Sequence, residues 1–167
     1  MPKSFRAIVS VSDDWGIGAH GDLAVRNRAD MRRFKELTWG GTVIMGRRTL
    51  ESLPGGRALP GRRNLVLTRD ERFSQENVET APGIKALKRL LRDDEDVWVI
   101  GGESVYRGLL PLCDECLVTM NEVAVPEVDA WFPDLDAHPA WRLDGCVDGG
   151  VTEEGVPYQF RTYRRLM

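Results

Sequence analysis

Residues 97–110 read VWVIGGESVYRGLL, and their reading decides the fold class. Val97-Trp98-Val99-Ile100 is an apolar run of strand length. Gly101-Gly102 breaks it, and Glu103 to Leu110 carries apolar residues at helical spacing until Pro111 ends the helix. A strand that passes through glycine straight into a helix is half of a strand–helix–strand unit, and the same order recurs along the chain. Phe5 to Val11 reads as a central strand, followed by a glycine-punctuated loop from Asp13 to Asp22 and a helix over Arg28 to Leu37. Thr42 to Met45 is a short buried strand ending at Gly46, and Arg47 to Leu53 is a brief helix stopped by Pro54. Asn64 to Thr68 is a strand, Ile84 to Leu91 a helix, and Leu117 to Val123 a strand. Such alternation implies an α/β fold with a mostly parallel sheet covered on both faces. Beyond Val123 the helical period vanishes. Trp141 to Asp148 and Tyr158 to Arg164 read as strands joined through Gly149-Gly150 and Gly155, a C-terminal antiparallel hairpin. With no repeats and no linker longer than a loop, residues 1–167 read as a single domain.

The 167 residues are 42% hydrophobic and 29% charged, an ordinary globular composition, and the net charge of −3 argues against nucleic-acid or membrane-surface partners. No apolar run approaches the roughly 18 residues of a membrane span, and the opening MPKSFRAIVSV lacks the apolar core of a secretory signal, so a cytoplasmic address is expected. Cys113, Cys116 and Cys146 make an odd number of thiols, which suits a reducing compartment. Cys113-Asp114-Glu115-Cys116 follows a helix instead of opening one and has no second ligand pair, so redox or metal chemistry is not expected there. His20 and His138 are the only histidines and do not form a zinc motif, and no metal is expected.

Two strand-to-helix junctions carry glycine, Ile44-Met45-Gly46-Arg47-Arg48-Thr49 and Val99-Ile100-Gly101-Gly102-Glu103-Ser104. Each is either a plain tight turn or a place where an anion meets free backbone amides. Arg47 and Arg48 beside the first, with Arg69 after the next strand, favour the anion at the carboxyl ends of neighbouring strands. The dinucleotide fingerprint, the P-loop and the nucleophile elbow are all absent. A second question is posed by residues 21–34, GDLAVRNRADMRRF, where Asp30 sits among arginines at the start of a helical stripe shared with Phe34 and Leu37, Met31 lying beside it. Arg32, Arg33 and Glu36 fall on other faces. Asp30 either complements the positive end of a helix capped by Asn27, or is a carboxylate placed in a pocket.

Taken in order, Gly21-x-Leu23, Asp30-x-x-x-Phe34, Val43-Ile44-Met45-Gly46-Arg47-x-Thr49, Leu59-Pro60-Gly61-Arg62-x-Asn64, Val99-Ile100-Gly101-Gly102 with Val105-Tyr106, Thr119, and Asp129-x-x-Phe132-Pro133 resemble the dihydrofolate reductase family from about Phe5 to Arg164. The resemblance implies a central eight-stranded sheet with about four helices on its faces, NADPH as cofactor, and reduction of 7,8-dihydrofolate in one-carbon metabolism. It further implies antifolate inhibitors as ligands and action as a monomer. By resemblance Asp30 is the lone acidic group of the pterin pocket, with Thr119 bonded to it and Leu23 as the third catalytic position. Ile8 and Ile100 offer carbonyls around the ring. Met31, Phe34, Lys35, Leu53, Leu59 and Tyr106 complete the substrate site, and Arg62 grips the substrate's α-carboxylate. Val9, Ser10, Ile17, Gly18, Gly46, Arg47, Arg48, Thr49, Leu67, Thr68, Arg69, Gly101, Gly102, Glu103, Ser104, Val105 and Tyr106 fall to the cofactor. The segment Asp13 to Leu23 is similar to the family's mobile loop.

One departure stands out. Leu23-Ala24-Val25 replaces the family's Leu-Pro-Trp, whose indole helps hold an ordered water near the pterin, and Val25 has no donor. Arg26 after it is also unusual. Two rival readings are a same-fold pyrimidine reductase of flavin synthesis and a non-catalytic NADPH- or folate-binding module. Asp30 with Phe34 and Arg62 favours folate over the former.

Overall fold

The computed structural model describes residues 2–166. Its strands are β1 (Ser4–Val11), β2 (Gly16–Ala19), β3 (Asp22–Leu23), β4 (Thr42–Gly46), β5 (Arg63–Leu67), β6 (Val78–Ala81), β7 (Asp96–Gly101), β8 (Glu115–Asn121), β9 (Ala130–Trp131), β10 (Trp141–Val151) and β11 (Pro157–Arg165). Its helices are α1 (Arg28–Thr38), α2 (Arg47–Ser52), α3 (Ile84–Leu90) and α4 (Glu103–Leu109). Eight strands form one sheet in the order β10-β11-β8-β1-β7-β4-β5-β6. From β8 to β6 every neighbour is parallel, and β11 is antiparallel to both β8 and β10.

The two-residue period of a strand divides this sheet's side chains between two cores. Phe5, Ala7, Val9 and Val11 of β1, Ile44 of β4, Leu65 of β5, Val97 and Val99 of β7, and Cys116, Val118 and Met120 of β8 face one side. There they meet Leu87 of α3, Val105, Tyr106 and Leu109 of α4, and the rings of Trp15, Phe132 and Trp141. The alternate residues Ile8, Val43, Met45, Val66, Trp98 and Leu117 face the other side, against Leu50 of α2 and the half-buried Phe34 of α1. Thr119 and Asn121 continue that second row along β8. They are polar yet buried, in a strand that is otherwise apolar.

Asn121 explains itself through its partners. Its amide nitrogen donates to Val11 O at 2.8 Å and Ser10 Oγ at 2.9 Å, and its Oδ1 accepts from Asn27 Nδ2 at 3.0 Å. Asn27 caps α1, accepting the Asp30 amide at 3.1 Å as its sequence position leads one to expect. The helix start is thereby fastened to β1 and β8 through two buried amides.

The structure departs from the sequence reading in four places. The segment from Asp13 to Asp22 is not wholly irregular, since β2 and β3 pair with β9 in a small three-stranded sheet. Strands of two to four residues leave no period to read. β6 was missed for the same reason, its Val-Glu-Thr-Ala alternating poorly at the sheet edge. Gly149 and Gly150 lie inside β10, and the turn is made further on, at Gly155 with φ +85°. A Cβ at 149 would come within 2.3 Å of the Tyr158 ring, so glycine there serves close packing, not a turn. Finally, the α1 stripe borders an open groove instead of a closed core. Met31 and Leu37 are 52% and 38% exposed, and Thr38 is the helix's one buried residue.

Asn121→Leu should destabilise the protein by about 2–4 kcal/mol in denaturant titration, because it orphans the buried Asn27 amide and the Val11 carbonyl at about 1–3 kcal/mol each. A loss under about 0.5 kcal/mol would show that water replaces these bonds.

Candidate active site

Three features place Asp30. Asn27 fixes the first turn of α1, the helix lies along the sheet face that carries Thr119, and Thr119 Oγ1 donates to Asp30 Oδ1 at 2.5 Å. Burial pushes this carboxyl above the usual carboxylate range, opposed by the Thr119 bond and then by the charge of Arg33. Arg33, which helical spacing places on another face than Asp30, is half-buried. Its guanidinium carbon lies 4.2 Å over the Phe160 ring of β11. Across the sheet, the Tyr106 hydroxyl donates to Ile8 O at 2.8 Å, and burial holds it protonated far above a phenol's ordinary range.

Further along the groove, Phe34, Leu53, Leu59 and Ile100 pack against the core of Ile8, Met45, Leu50, Trp98 and Leu117. Arg62 stands at the end of this wall. Its Nε donates to Pro60 O at 2.9 Å, its Nη1 donates to Thr38 Oγ1 at 3.1 Å, and its guanidinium lies 5.4 Å from the Trp39 ring and 5.9 Å from Phe34. Gly61, with φ +72°, has room only for hydrogen, because a Cβ would meet the Trp39 ring at 2.4 Å. Asn64, missed as a site residue, holds the loop from beneath. It accepts from Leu59 N at 2.9 Å and donates to Leu59 O and Arg62 O, each at 3.0 Å. Lys35 and Met31 are exposed on the groove side of α1, Lys35 with its ammonium 5.7 Å from the Trp39 ring.

The expected cofactor residues gather on the other side of the groove. Leu67, Thr68, Arg69, Ser104 and Val105, with Pro82, Gly83 and Ile84, line a cavity of about 280 Å³ beside the Gly101-Gly102 junction. Thr49 stands over that junction, where a Cβ added at Gly102 would meet nothing nearer than Thr49 Oγ1 at 3.7 Å. Backbone there is open to close approach. Gly46 packs against α4, a Cβ being 3.2 Å from Val105 Cγ2. The three arginines do not act alike. Arg47 is held by Glu51 at 3.0 Å and Asp70 at 2.9 Å and lies 4.7 Å from the Phe73 ring, whereas Arg48 and Arg69 are exposed with no ion pair among the described residues. Glu103 accepts from the Trp131 amide at 2.8 Å, tying α4 to β9. Val9 is buried, Ser10 is half-buried and bonded to Asn121, and Ile17 packs on the first core.

The segment from Asp13 to Leu23 is anchored at more than one point. Trp15 is buried and stacks on Phe132 at 6.2 Å, Gly18 O accepts from the Asp129 amide at 2.9 Å, and the His20 amide donates to Asp129 Oδ2 at 3.0 Å, while Leu23 is 52% exposed. Val25 is half-buried, and Arg26 reaches back to Asp22 at 2.7 Å. Cys113 and Cys116 are buried thiols whose burial pushes their pKa up, Cys113 to about 12, leaving them inert.

An apolar slot with one buried carboxylate at its floor, set against a glycine-lined cavity with free guanidiniums, is the layout of an α/β oxidoreductase that brings a nucleotide cofactor to a flat heterocycle. Residues 4–165 match the family model described as dihydrofolate reductase. The dihydrofolate reductase of Mycobacterium leprae is 47% identical over 156 residues, covering 89% of this chain and 90% of its own, and that of Staphylococcus haemolyticus is 35% identical, covering 95% and 94%. The solved structure of dihydrofolate reductase from Enterococcus faecalis, complexed with NADP(H) and RAB-propyl, superposes with a TM-score of 0.87 at 31% identity, covering 98% of this chain and 97% of that one. This chain belongs to the dihydrofolate reductase family. It is thereby an NADPH-dependent oxidoreductase that reduces 7,8-dihydrofolate to tetrahydrofolate, and neither rival reading is favoured.

The raised pKa of Asp30 has a definite sign. The folded protein holds this proton more tightly than the unfolded chain, so the stability it confers is full below the unfolded carboxylate value of about 3.9 and is lost as pH rises through the folded value. Asp30→Asn should therefore raise the Tm of the ligand-free protein at pH 7, the gain shrinking away toward pH 4. A Tm unchanged at pH 7 would show that the carboxylate carries no burial penalty.

Proposed function

We propose that Asp30 is the charge around which the reduction is organised. The observation that carries this reading is its burial at the groove floor on the Thr119 hydroxyl, with no second carboxylate among the groove residues described above. Thr119 holds the carboxylate in one orientation. The ionised group accepts hydrogen bonds from the pterin's ring donors and favours the ring in its N5-protonated form, the state that best accepts hydride at C6. No side chain need deliver that proton, since solvent reaches the open groove. Phe34, Leu53, Leu59 and Ile100 wall the heterocycle and exclude water from its faces, the Ile8 and Ile100 carbonyls border it, and Leu23 with the outer loop lies toward its exposed edge. Arg62, prearranged by Pro60 and Thr38, takes the substrate's α-carboxylate.

The cavity beside Gly101-Gly102 fits the cofactor, which when bound supplies the hydride. Thr49, Thr68, Ser104 and the glycine amides suit its phosphates, and Arg48 and Arg69, unneutralised by neighbours, suit the extra phosphate that distinguishes NADPH. The same reading has the enzyme act as a monomer. Three free thiols support a reducing, cytoplasmic setting.

Steady-state rates of Asp30→Asn across pH test the central assignment. Near neutral pH most activity should be lost, and kcat/KM should climb as pH falls through a range where the parent enzyme has levelled off. A stable, fully active variant would overturn it. For Arg62→Ala, folate affinity should fall roughly 30-fold or more, as expected when one partner of a desolvated pair costs about 2–5 kcal/mol, while a pterin without the glutamate tail is unaffected. Equal losses for both ligands would remove the clamp. Replacing Arg48 and Arg69 together by alanine should weaken NADPH roughly tenfold or more and NADH little. Parallel losses would show that the pair does not read the phosphate.

A further inference from the structure

Arg33 has no place in the scheme above, and its surroundings are unusual for a helix arginine. It lies three residues beyond Asp30 on α1, the spacing at which helical side chains meet. Nη1 is buried and has no hydrogen-bond partner, although an orphaned guanidinium nitrogen is costly. The guanidinium lies over Phe160, its carbon 4.2 Å from the ring centroid. In the sheet register Phe160 is directly opposite Thr119 on the neighbouring strand, so their side chains share one face. A single cross-strand pair therefore seats both the hydroxyl that binds Asp30 and the cation beside it. We infer that Arg33 is a positioning residue of the site: seated on Phe160 next to the buried Asp30 carboxylate, it sets the pH range over which the enzyme turns over dihydrofolate.

The coupling is electrostatic, and its bearing on turnover rests on the assignment of Asp30 to the pterin. Among the described residues, the groups that face Asp30 are Thr119 from β8, Arg33 from α1 and Tyr106 from α4. Thr119 does not titrate in the working range, and Tyr106 stays neutral. β11 presents the uncharged Phe160. Arg33 is thus the one cation among these groups, and its charge, acting through space without an ion pair, pulls Asp30 toward the ionised form against burial. Asp30 and a bound pterin titrate as a coupled pair, so a neighbouring positive charge lowers the apparent pKa of the pair, whichever member carries the proton. Arg33 thereby keeps Asp30 ionised in the empty enzyme, at the expense of the protonated complex on the alkaline side. A salt bridge with good geometry would pull harder. The unpartnered Nη1 and the ring beneath it hold the cation close without letting it replace the pterin's own donors on the carboxylate.

The test is the pH–rate profile of Arg33→Met, which keeps length and apolar packing on Phe160, alongside Arg33→Gln and Arg33→Lys. With an effective dielectric of about 20–40, loss of the charge should raise the apparent pKa by about 0.5–1 unit, so activity on the alkaline limb rises roughly three- to tenfold. Arg33→Lys should restore the original profile. An apparent pKa unchanged in Met and Gln, with only Tm altered, overturns the inference, as does a shift that Lys fails to reverse. Asp30→Asn measured in the same series separates the two readings. If it is fully active, the assignment of Asp30 fails. If it is impaired near neutrality while the Arg33 variants leave the apparent pKa in place, only the role of Arg33 fails.

Discussion

The site depends on one buried polar contact, the amide–amide hydrogen bond between Asn121 and Asn27. A helix that borders an open groove has little apolar burial to fix its position, and α1 buries only Thr38 fully. Its placement relative to the sheet must come from directional bonds. Asn121 takes its own bearings from β1, and Asn27 passes them on to the first turn of α1. Asp30 follows as the third residue after the cap, so its position on Thr119 is inherited from a hydrogen-bond chain that begins in the sheet. Because every member is buried or half-buried, each bond forms in a medium of low dielectric and tolerates few alternatives.

The same geometry sets stability against function. A carboxylate placed where burial opposes its charge weakens the empty fold at neutral pH, and the fold tolerates this because two cores share one eight-stranded sheet. The strain is electrostatic and local, held by Thr119 on one side and the Arg33 cation on the other. In the role proposed for Asp30, a cationic heterocycle entering the groove relieves it by supplying both charge and hydrogen-bond donors. Binding and catalysis then draw on one source, the preference of Asp30 for a partner that the free protein only partly supplies.

How much of this was legible depended on the range of the signal. Strand–glycine–helix junctions at Gly46 and Gly101-Gly102 are written in consecutive residues and mark true element boundaries to within a residue or two. The family was legible because spaced motifs from Gly21 to Pro133 agree in order, a long-range signal that survives in one dimension. For Arg33, helical spacing places the side chain on a face but does not say what covers that face, and the ring covering this one belongs to Phe160, 127 positions later in the numbering. Arg47 shares the cluster with Arg48 and Arg69, and what the sequence does not show is that it alone of the three is ion-paired among the described residues, to Glu51 and Asp70. Asn121 left a trace, as the lone amide closing an apolar strand, and a buried amide asks for partners. Nothing in the sequence said that one of them was Asn27.

The departure at Leu23-Ala24-Val25 falls on the edge of this arrangement, not at its centre. Val25 is half-buried and offers no donor, and Arg26, the nearest polar side chain in sequence, turns away to Asp22. The loop therefore brings no replacement donor toward Asp30. Its protein-side partners are left to the sheet and to its own helix, Thr119 and Arg33. The cation beside Asp30 is seated on β11, its guanidinium carbon 4.2 Å from the Phe160 ring centroid. The protein-side polarity around Asp30 is consequently set by α1 and the sheet, and not by the side chains of Val25 or Arg26.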